Sequence, residues 1–130
     1  MHVQRLGYEP SVDARRGQHA AQKSRIGRAA RDLLPDGGSI LIDGGTTTLE
    51  LVRHLPADFR VTAVTNSLPA ASLLAELPQV ELLFLGGRLR DITSAAVGPW
   101  ATAALSELRI DVAFMGTNGI TPESGLTTPD

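Results

Sequence analysis

The chain has 130 residues, a formal net charge of −2 and no cysteine. This length suits one domain, and the lack of cysteine excludes a disulfide scaffold, a cysteine–zinc site and an iron–sulfur cluster. The slight negative charge argues against nucleic acid as a direct partner, because phosphate binding needs clustered positive charge. No apolar run is long enough for a membrane span and the amino terminus lacks a signal-peptide pattern, so we expect a cytoplasmic protein.

The chain opens with a polar arm and a helix. Residues 1–17 are polar and without sustained period, which predicts a linker ahead of a domain over 18–130. Apolar residues then recur at helical spacing until Pro35, Asp36 and two glycines stop the helix. The other faces of this helix carry Arg25, Arg28 and Arg31. These arginines could form a nucleic-acid patch, but a solvated helix face explains them better, because no aromatic residue is interleaved.

Strands and helices alternate beyond this helix. Apolar runs predict strands at 39–42, 60–65, 79–85 and 111–115. Helical patterns predict helices at 47–55, 68–77 and 99–108. Thr47 and Glu50 have the spacing of a capping box. This order indicates an α/β fold with a mostly parallel, Rossmann-like sheet and flanking helices, and the nearly continuous apolar runs indicate that both sheet faces are covered.

Each predicted strand is followed by a turn rich in glycine and small polar residues. The turns lie at 43–48, 65–67, 86–90 and 116–119. In a parallel sheet they share the edge formed by the carboxyl ends of the strands, where ligands bind. Each turn alone is a weak signal, since Gly and Asn also serve ordinary turns. Together the four turns predict a polar ligand pocket.

The first turn is the best candidate for an anion site. Gly44 and Gly45 let the backbone pass close to a ligand, and the free N–H groups of the next helix point at it. The turn is neither a Walker loop nor a dinucleotide fingerprint, so we expect no nucleotide and no other cofactor. Asp43 could orient a sugar hydroxyl, act as a base or cap backbone donors. One of Arg88 and Arg90 could reach the pocket as a phosphate or hydroxyl donor.

Several motifs occur in a fixed order along the chain. They are Glu9-Pro10-Ser11-Val12 with Arg15 and Lys23, Asp43 to Thr47, Thr65 to Ser67, Gly86 to Arg90, Val97-Gly98-Pro99, Gly116 to Gly119, and Gly125 to Asp130. In this order and spacing they resemble the carboxy-terminal sensor domain of the DeoR family of bacterial transcriptional regulators. The resemblance covers nearly the whole chain, from about Tyr8 to Asp130.

The resemblance implies a fold related to ribose-5-phosphate isomerase, glucosamine-6-phosphate deaminase and CoA-transferase-like proteins. It also implies a phosphorylated sugar or polyol as effector, and self-association. By motif, Gly45, Thr46 and Thr47 would hold the phosphate. The sugar would be surrounded by Asp43, Asn66, Ser67, Arg90, Asn118 and Gly119. The remaining candidate ligand-binding residues in the turns are Gly44, Thr65, Gly86, Gly87 and Gly116.

The resemblance has two departures. The family's winged helix-turn-helix has no counterpart here, and the family pattern continues beyond Asp130. We therefore expect a fragment that affects DNA only through a domain outside this chain. We also expect the apolar stripe of the last predicted helix to be partly uncovered, which promotes association. That stripe comprises Trp100, Ala104, Leu105 and Leu108.

Three functions fit these observations. The favoured one is a non-enzymatic effector sensor of a transcriptional repressor of carbohydrate metabolism. The alternative is a sugar-phosphate isomerase, which needs a general base and a second acid or lysine near the carbonyl. Asp43 is the only candidate base, and the last turn offers Asn118 in place of a carboxylate. The third function is a structural or oligomerisation fragment that has lost ligand binding.

Overall fold

The computed structural model describes residue 17 and residues 19–91 and 94–127. The predicted arm, apart from Gly17, and the closing residues 128–130 lie outside the described residues. The helices are α1 (Ala20–Ala30), extended by a 3-10 turn (Arg31–Leu33), α2 (Thr46–Arg53), α3 (Leu68–Leu74) and α4 (Pro99–Ser106). The strands are β1 (Ser39–Ile42), β2 (Val61–Thr65), β3 (Val80–Phe84), β4 (Arg88–Arg90), β5 (Ala95–Val97), β6 (Val112–Phe114), β7 (Gly119–Thr121) and β8 (Gly125–Thr127). Across the described ranges, no helix is both long and apolar enough to cross a bilayer.

A four-stranded parallel sheet forms the centre of the fold, with strand order β3-β2-β1-β6. Ile42 at the end of β1 pairs in register with Thr65 of β2 and with Phe114 of β6. Thr65 pairs in turn with Phe84 of β3. All four strands therefore end at the same level, and the prediction of a parallel α/β sheet is confirmed.

One face of this sheet is covered by α1, α2 and α3. Ile40 and Ile42 of β1 and Ala63 of β2 are fully buried on this face. They pack with Leu49 and Val52 of α2 and with other apolar side chains of the same cluster. Burying each large aliphatic side chain contributes roughly 1.5–3 kcal/mol, so this face holds the main core.

Within the part of the chain that the structure describes, the opposite face packs against α4 and the segment after it. Ala101 packs there against Val64 of β2 and Leu85. Ala113 in β6 is exposed, so cover on this face is less complete than the apolar runs predict. Trp100 is 77% exposed, and the apolar stripe of α4 is partly uncovered, as predicted.

Two short hairpins complete the fold. Strands β4 and β5 pair antiparallel, as do β7 and β8. The strands of the first hairpin are absent from the predicted elements, because three residues each are too few to show a period.

The start of α2 differs from the prediction. The helix begins at Thr46, with Gly45 as N-cap and no side-chain hydrogen bond at the cap. Glu50 forms an ion pair with Arg53 at 3.1 Å. The predicted capping box between Thr47 and Glu50 is therefore wrong.

Helix α1 crosses α2 in very close contact at Gly27. This glycine is buried, and a Cβ built on it would lie 2.6 Å from the Glu50 carbonyl carbon and 2.7 Å from its oxygen. Those atoms belong to the backbone, which cannot move aside as a flexible side chain can. The two helices can approach this closely only because residue 27 has no side chain.

We expect Gly27→Ala to lower the free energy of unfolding by about 1–3 kcal/mol, as overpacking does in a close-packed core. At an exposed helix position the same substitution would raise it by about 1 kcal/mol, so the sign of the change is diagnostic. Urea denaturation measures it. Gly86→Ala is the control, because a Cβ there meets nothing within 4 Å. Equal or greater stability of Gly27→Ala would contradict the close helix contact.

Candidate functional site

The turns after β1 and β6 are joined by the side chain of Asp43. Its Oδ2 accepts a hydrogen bond from the Gly116 N–H at 3.2 Å, and its own N–H donates to the Phe114 carbonyl at 3.0 Å. A Cβ built on Gly116 would lie 3.6 Å from the Gly44 oxygen. The first and last of the four predicted turns therefore lie side by side at the carboxyl edge of the sheet.

The first turn has a backbone shape that requires glycine. Gly45 has a φ of +125°, a conformation that side chains beyond glycine rarely adopt. The hydroxyl of Thr48 donates to the carbonyls of Asp43 at 2.8 Å and Gly45 at 3.1 Å, which braces the turn from inside. Among the described residues no side chain caps α2, and uncapped N–H groups at a helix start are of the kind that favours an anion.

Thr46, the first residue of α2, has a buried hydroxyl. The residue is 7% exposed, and within the described part of the chain this hydroxyl makes no hydrogen bond. A cavity of about 70 Å³ lies beside Thr46, and its lining includes Lys23, Glu50 and Arg53. The sequence gives no sign that Lys23 lies beside Thr46, because this proximity depends on the packing of α1 against α2.

Two hydroxyl groups of the second turn form hydrogen bonds with backbone groups of the protein. Thr65 is fully buried, and its Oγ1 donates to the Ile42 carbonyl at 2.7 Å and accepts from the Ser67 N–H at 3.1 Å. The Ser67 Oγ accepts from the Ala70 N–H at 3.2 Å and so caps α3. Through these hydrogen bonds, both residues stabilise the conformation of the turn.

The β4–β5 hairpin packs directly on this second turn. The Asn66 carbonyl accepts from the Ala96 N–H at 2.8 Å, and the Asn66 Nδ2 donates to the Ala96 carbonyl at 3.0 Å. The next residue of the turn region, Leu68, donates its N–H to the Ser94 carbonyl at 2.9 Å. The hairpin therefore forms a wall of the site, and half-buried Asn66 lies where this wall meets the sheet.

The same hairpin brings the third turn toward the first. A Cβ on Gly44 would lie 3.2 Å from the Ala95 Cβ. Arg90 pairs with Ala95 in the hairpin register, so their side chains share the face that approaches Gly44. Arg90 is half-buried, whereas Arg88 is exposed. At the start of the hairpin, Gly87 has a φ of +147°, and a Cβ there would lie 2.7 Å from the Val97 carbonyl oxygen.

The fourth turn leads into the β7–β8 hairpin. The Asn118 N–H donates to the Thr127 carbonyl at 2.8 Å. The Thr117 hydroxyl contacts the carbonyls of Gly119 and Thr127, each at 2.8 Å. These bonds close the base of the hairpin, and the exposed Asn118 lies there together with Gly119.

The structure therefore joins the four predicted turns into one polar edge. Asp43 links the first turn to the fourth, Ala95 links the first to the hairpin, and Asn66 links the second to the hairpin. The edge offers backbone N–H groups, hydroxyls and side-chain donors. Among the candidate residues, Asp43 supplies the one carboxylate, and it is already hydrogen-bonded to Gly116. Such a site can hold an anion and several hydroxyl groups.

A parallel α/β domain with this donor-rich edge is a small-molecule-binding domain by its fold and site. Residues 18–130 match the family described as the DeoR C terminal sensor domain, and the chain belongs to this family. This membership confirms the resemblance predicted from the motifs. It also confirms the prediction of a regulator's sensor domain in place of an enzyme.

Curated relatives are transcriptional regulators. The chain is 36% identical over 98% of its length to the HTH-type transcriptional regulator GlpR of Haloferax volcanii, covering 50% of that protein. It is 35% identical over 92% of its length to a putative aga operon transcriptional repressor of Escherichia coli O157:H7, covering 45%. It is 36% identical over 84% of its length to the lactose phosphotransferase system repressor of Lactococcus lactis, covering 44%. The chain spans about half the length of these relatives or somewhat less.

We expect Thr65→Val to lower the free energy of unfolding by about 1–3 kcal/mol, because it leaves the buried Ser67 N–H without its acceptor. Thr62→Val is the matched control on the same strand, since the Thr62 hydroxyl lies in an exposed contact at 3.5 Å from Glu81. Denaturant unfolding of both variants measures the difference. Equal stability of the two would show that the Thr65 hydroxyl does not support the turn.

Proposed function

We propose that this chain binds a phosphorylated sugar or polyol at the carboxyl edge of its sheet, and that binding controls the attachment of the full regulator to DNA. The observation that carries the proposal is the first turn. There an uncapped helix start, a positive-φ glycine and a buried, unpartnered Thr46 hydroxyl come together. A buried hydroxyl without a partner costs about 1–3 kcal/mol, and a bound phosphate would supply that partner.

The phosphate end of the ligand fits the amino terminus of α2. The N–H groups of Thr46 and Thr47 and the helix dipole favour negative charge there. Lys23 adds a positive charge beside the same cavity. The volume of this cavity, about 70 Å³, is far below the roughly 300–1,000 Å³ of complete ligand pockets. The cavity therefore suits one charged group and not a whole ligand.

The sugar end of the ligand extends over the neighbouring turns. Asp43 can accept a hydrogen bond from a hydroxyl, while Arg90 and Asn118 can donate. Asn66, Gly119 and the glycines of the turns complete the surface, and Thr65 and Ser67 hold its shape. The name of the Lactococcus lactis relative, a lactose phosphotransferase system repressor, supports a carbohydrate as the effector class.

Two partners follow from the same proposal. The relatives named as HTH-type regulators support a DNA-binding helix-turn-helix domain through which the effector signal reaches DNA. The ligand would act by favouring one of two arrangements of the whole regulator. We further propose that the regulator works as a homo-oligomer.

A thermal-shift panel of hexose, pentose and polyol phosphates tests the effector class. A ligand at about 100 times its Kd raises the free energy of unfolding by roughly 2.7 kcal/mol, which gives a measurable rise in Tm. The same sugars without phosphate, and inorganic phosphate alone, are the ligand controls. The proposal predicts a clear shift only with the phosphorylated compounds; a shift that survives removal of the phosphate group contradicts it.

Gly45→Val is expected to abolish this shift, because valine resists a φ of +125° and places a side chain beside the anion site. Thr47→Ala is expected to weaken binding by removing a hydroxyl donor. Gly37→Val is the matched control, since Gly37 also has a positive φ, of 84°, but lies before β1 at the other end of the sheet. Unchanged affinity in Gly45→Val, measured by calorimetry, would rule out the anion site.

A further inference from the structure

Helix α1 has an exposed apolar stripe on the face turned away from the sheet. Ile26 is 55% exposed and Leu33, in the turn that extends the helix, is 69% exposed. These residues are seven apart, or two helical turns, so they share one face. The exposed Ala29 lies between them. This spacing is typical of a helix that packs against another helix.

The charges beside this stripe have opposite signs at its two ends. The segment 20–31 holds four of the twelve basic residues of the chain and none of its fourteen acidic ones. Acidic residues follow at once, at Asp32 and Asp36. Arg25 and Asp32 are again two helical turns apart, along the same flank of the stripe. The flank is therefore basic toward the amino end of the helix and acidic toward its carboxyl end.

An open groove of about 710 Å³ runs along this flank. Its apolar floor is formed by Ala29, Leu34, Pro35, Pro56 and Phe59. These residues precede β1 and β2, so the groove lies at the amino edge of the sheet, opposite the effector site. Arginine beside aromatic and aliphatic groups is typical of protein interfaces. Its charged lining is mixed, with Arg25, Arg28 and Arg31 beside Asp32 and Asp36, whereas a nucleic-acid surface carries clustered positive charge.

We propose that α1 pairs with α1 of a second copy of this chain, antiparallel and around a two-fold axis near Ala29. In this arrangement Arg25 of each copy faces Asp32 of the other, and Ile26 and Leu33 of each copy pack into the apolar groove of the other. The small side chain of Ala29 lets the two helices approach closely at the axis. A two-fold interface requires a self-complementary surface, and the flank of this stripe carries charges of opposite sign at its two ends. The pairing rests on the proposed self-association but not on the effector, so either can fail without the other.

Sedimentation velocity of the whole chain across a concentration series tests whether the α1 stripe forms a dimer interface. We expect a dimer for the unaltered chain and a monomer for Ile26→Glu and Leu33→Glu. Trp100→Glu is the matched control, because Trp100 is also a strongly exposed apolar residue but lies on α4. A dimer that is lost only in Trp100→Glu, or a chain that is monomeric throughout, overturns the proposal.

The charge pairs provide a second readout specific to the antiparallel arrangement. Arg25→Asp and Asp32→Arg should each weaken the dimer by about tenfold or more, since a like-charge pair replaces each opposite pair. The double variant should recover the original dissociation constant. Residues two turns apart do not contact each other within one helix, so recovery reports pairing between copies. Failure of the double variant to recover contradicts the proposed orientation.

A cysteine cross-link gives a readout that does not depend on destabilising the dimer. The chain has no cysteine, so a single engineered one is unique. Ala29→Cys should form a covalent dimer with a short thiol cross-linker, and Ala103→Cys, exposed on α4, should not. A cross-link at Ala103→Cys and none at Ala29→Cys would place the interface on α4 and overturn the proposal.

Binding of a labelled DNA duplex is measured in parallel. If the chain is monomeric and binds this DNA, and if Arg25→Asp abolishes the binding, the arginines serve nucleic acid and the proposal is overturned.

Discussion

The arrangement of the whole site depends on the position of β1 between two parallel neighbours. β1 pairs with β2 on one side and with β6 on the other. Its turn, which starts at Asp43, therefore has another turn on each side, and all of them lie at one level. A hairpin connection to a neighbouring strand would have made that neighbour antiparallel to β1. The turn that follows the neighbour would then lie at the opposite edge of the sheet. The crossover helices make convergence of the turns unavoidable.

Polar side chains at this edge divide into those that build the turns and those that remain available. Thr48, Thr65 and Ser67 are buried, and each forms hydrogen bonds with backbone groups of the turns. Thr46 is also buried, and its hydroxyl forms no such bond with the described residues. Hydrogen-bonded turns of this kind form a rigid frame, which is a form of preorganisation.

The parts of the structure that could be predicted are those encoded locally. Strand β1 and the four turns follow from short apolar runs ended by glycine or small polar residues, and the parallel order follows from their alternation with helices. The capping box failed because Gly45 adopts a positive φ, which lets α2 start one residue early. The β4–β5 hairpin was missed because three residues are too few to show a period.

The role of individual side chains in the site was harder to predict. The motifs group Thr65 and Ser67 with the ligand residues, and only burial and hydrogen bonding reveal their use inside the protein. Lys23 lies beside Thr46 through packing between two helices that are distant in sequence. Such placements depend on tertiary contacts, which periodicity and spacing do not encode.

The absence of a side chain at Gly27 has a mechanical consequence. A Cβ at this position would lie 2.6 Å from the Glu50 carbonyl carbon, so the backbones of α1 and α2 meet here with no side chain between them. Close-packed groups transmit strain, because they leave no void in which a displacement can be absorbed. A displacement of α2 at this crossing is therefore expected to move α1 with it.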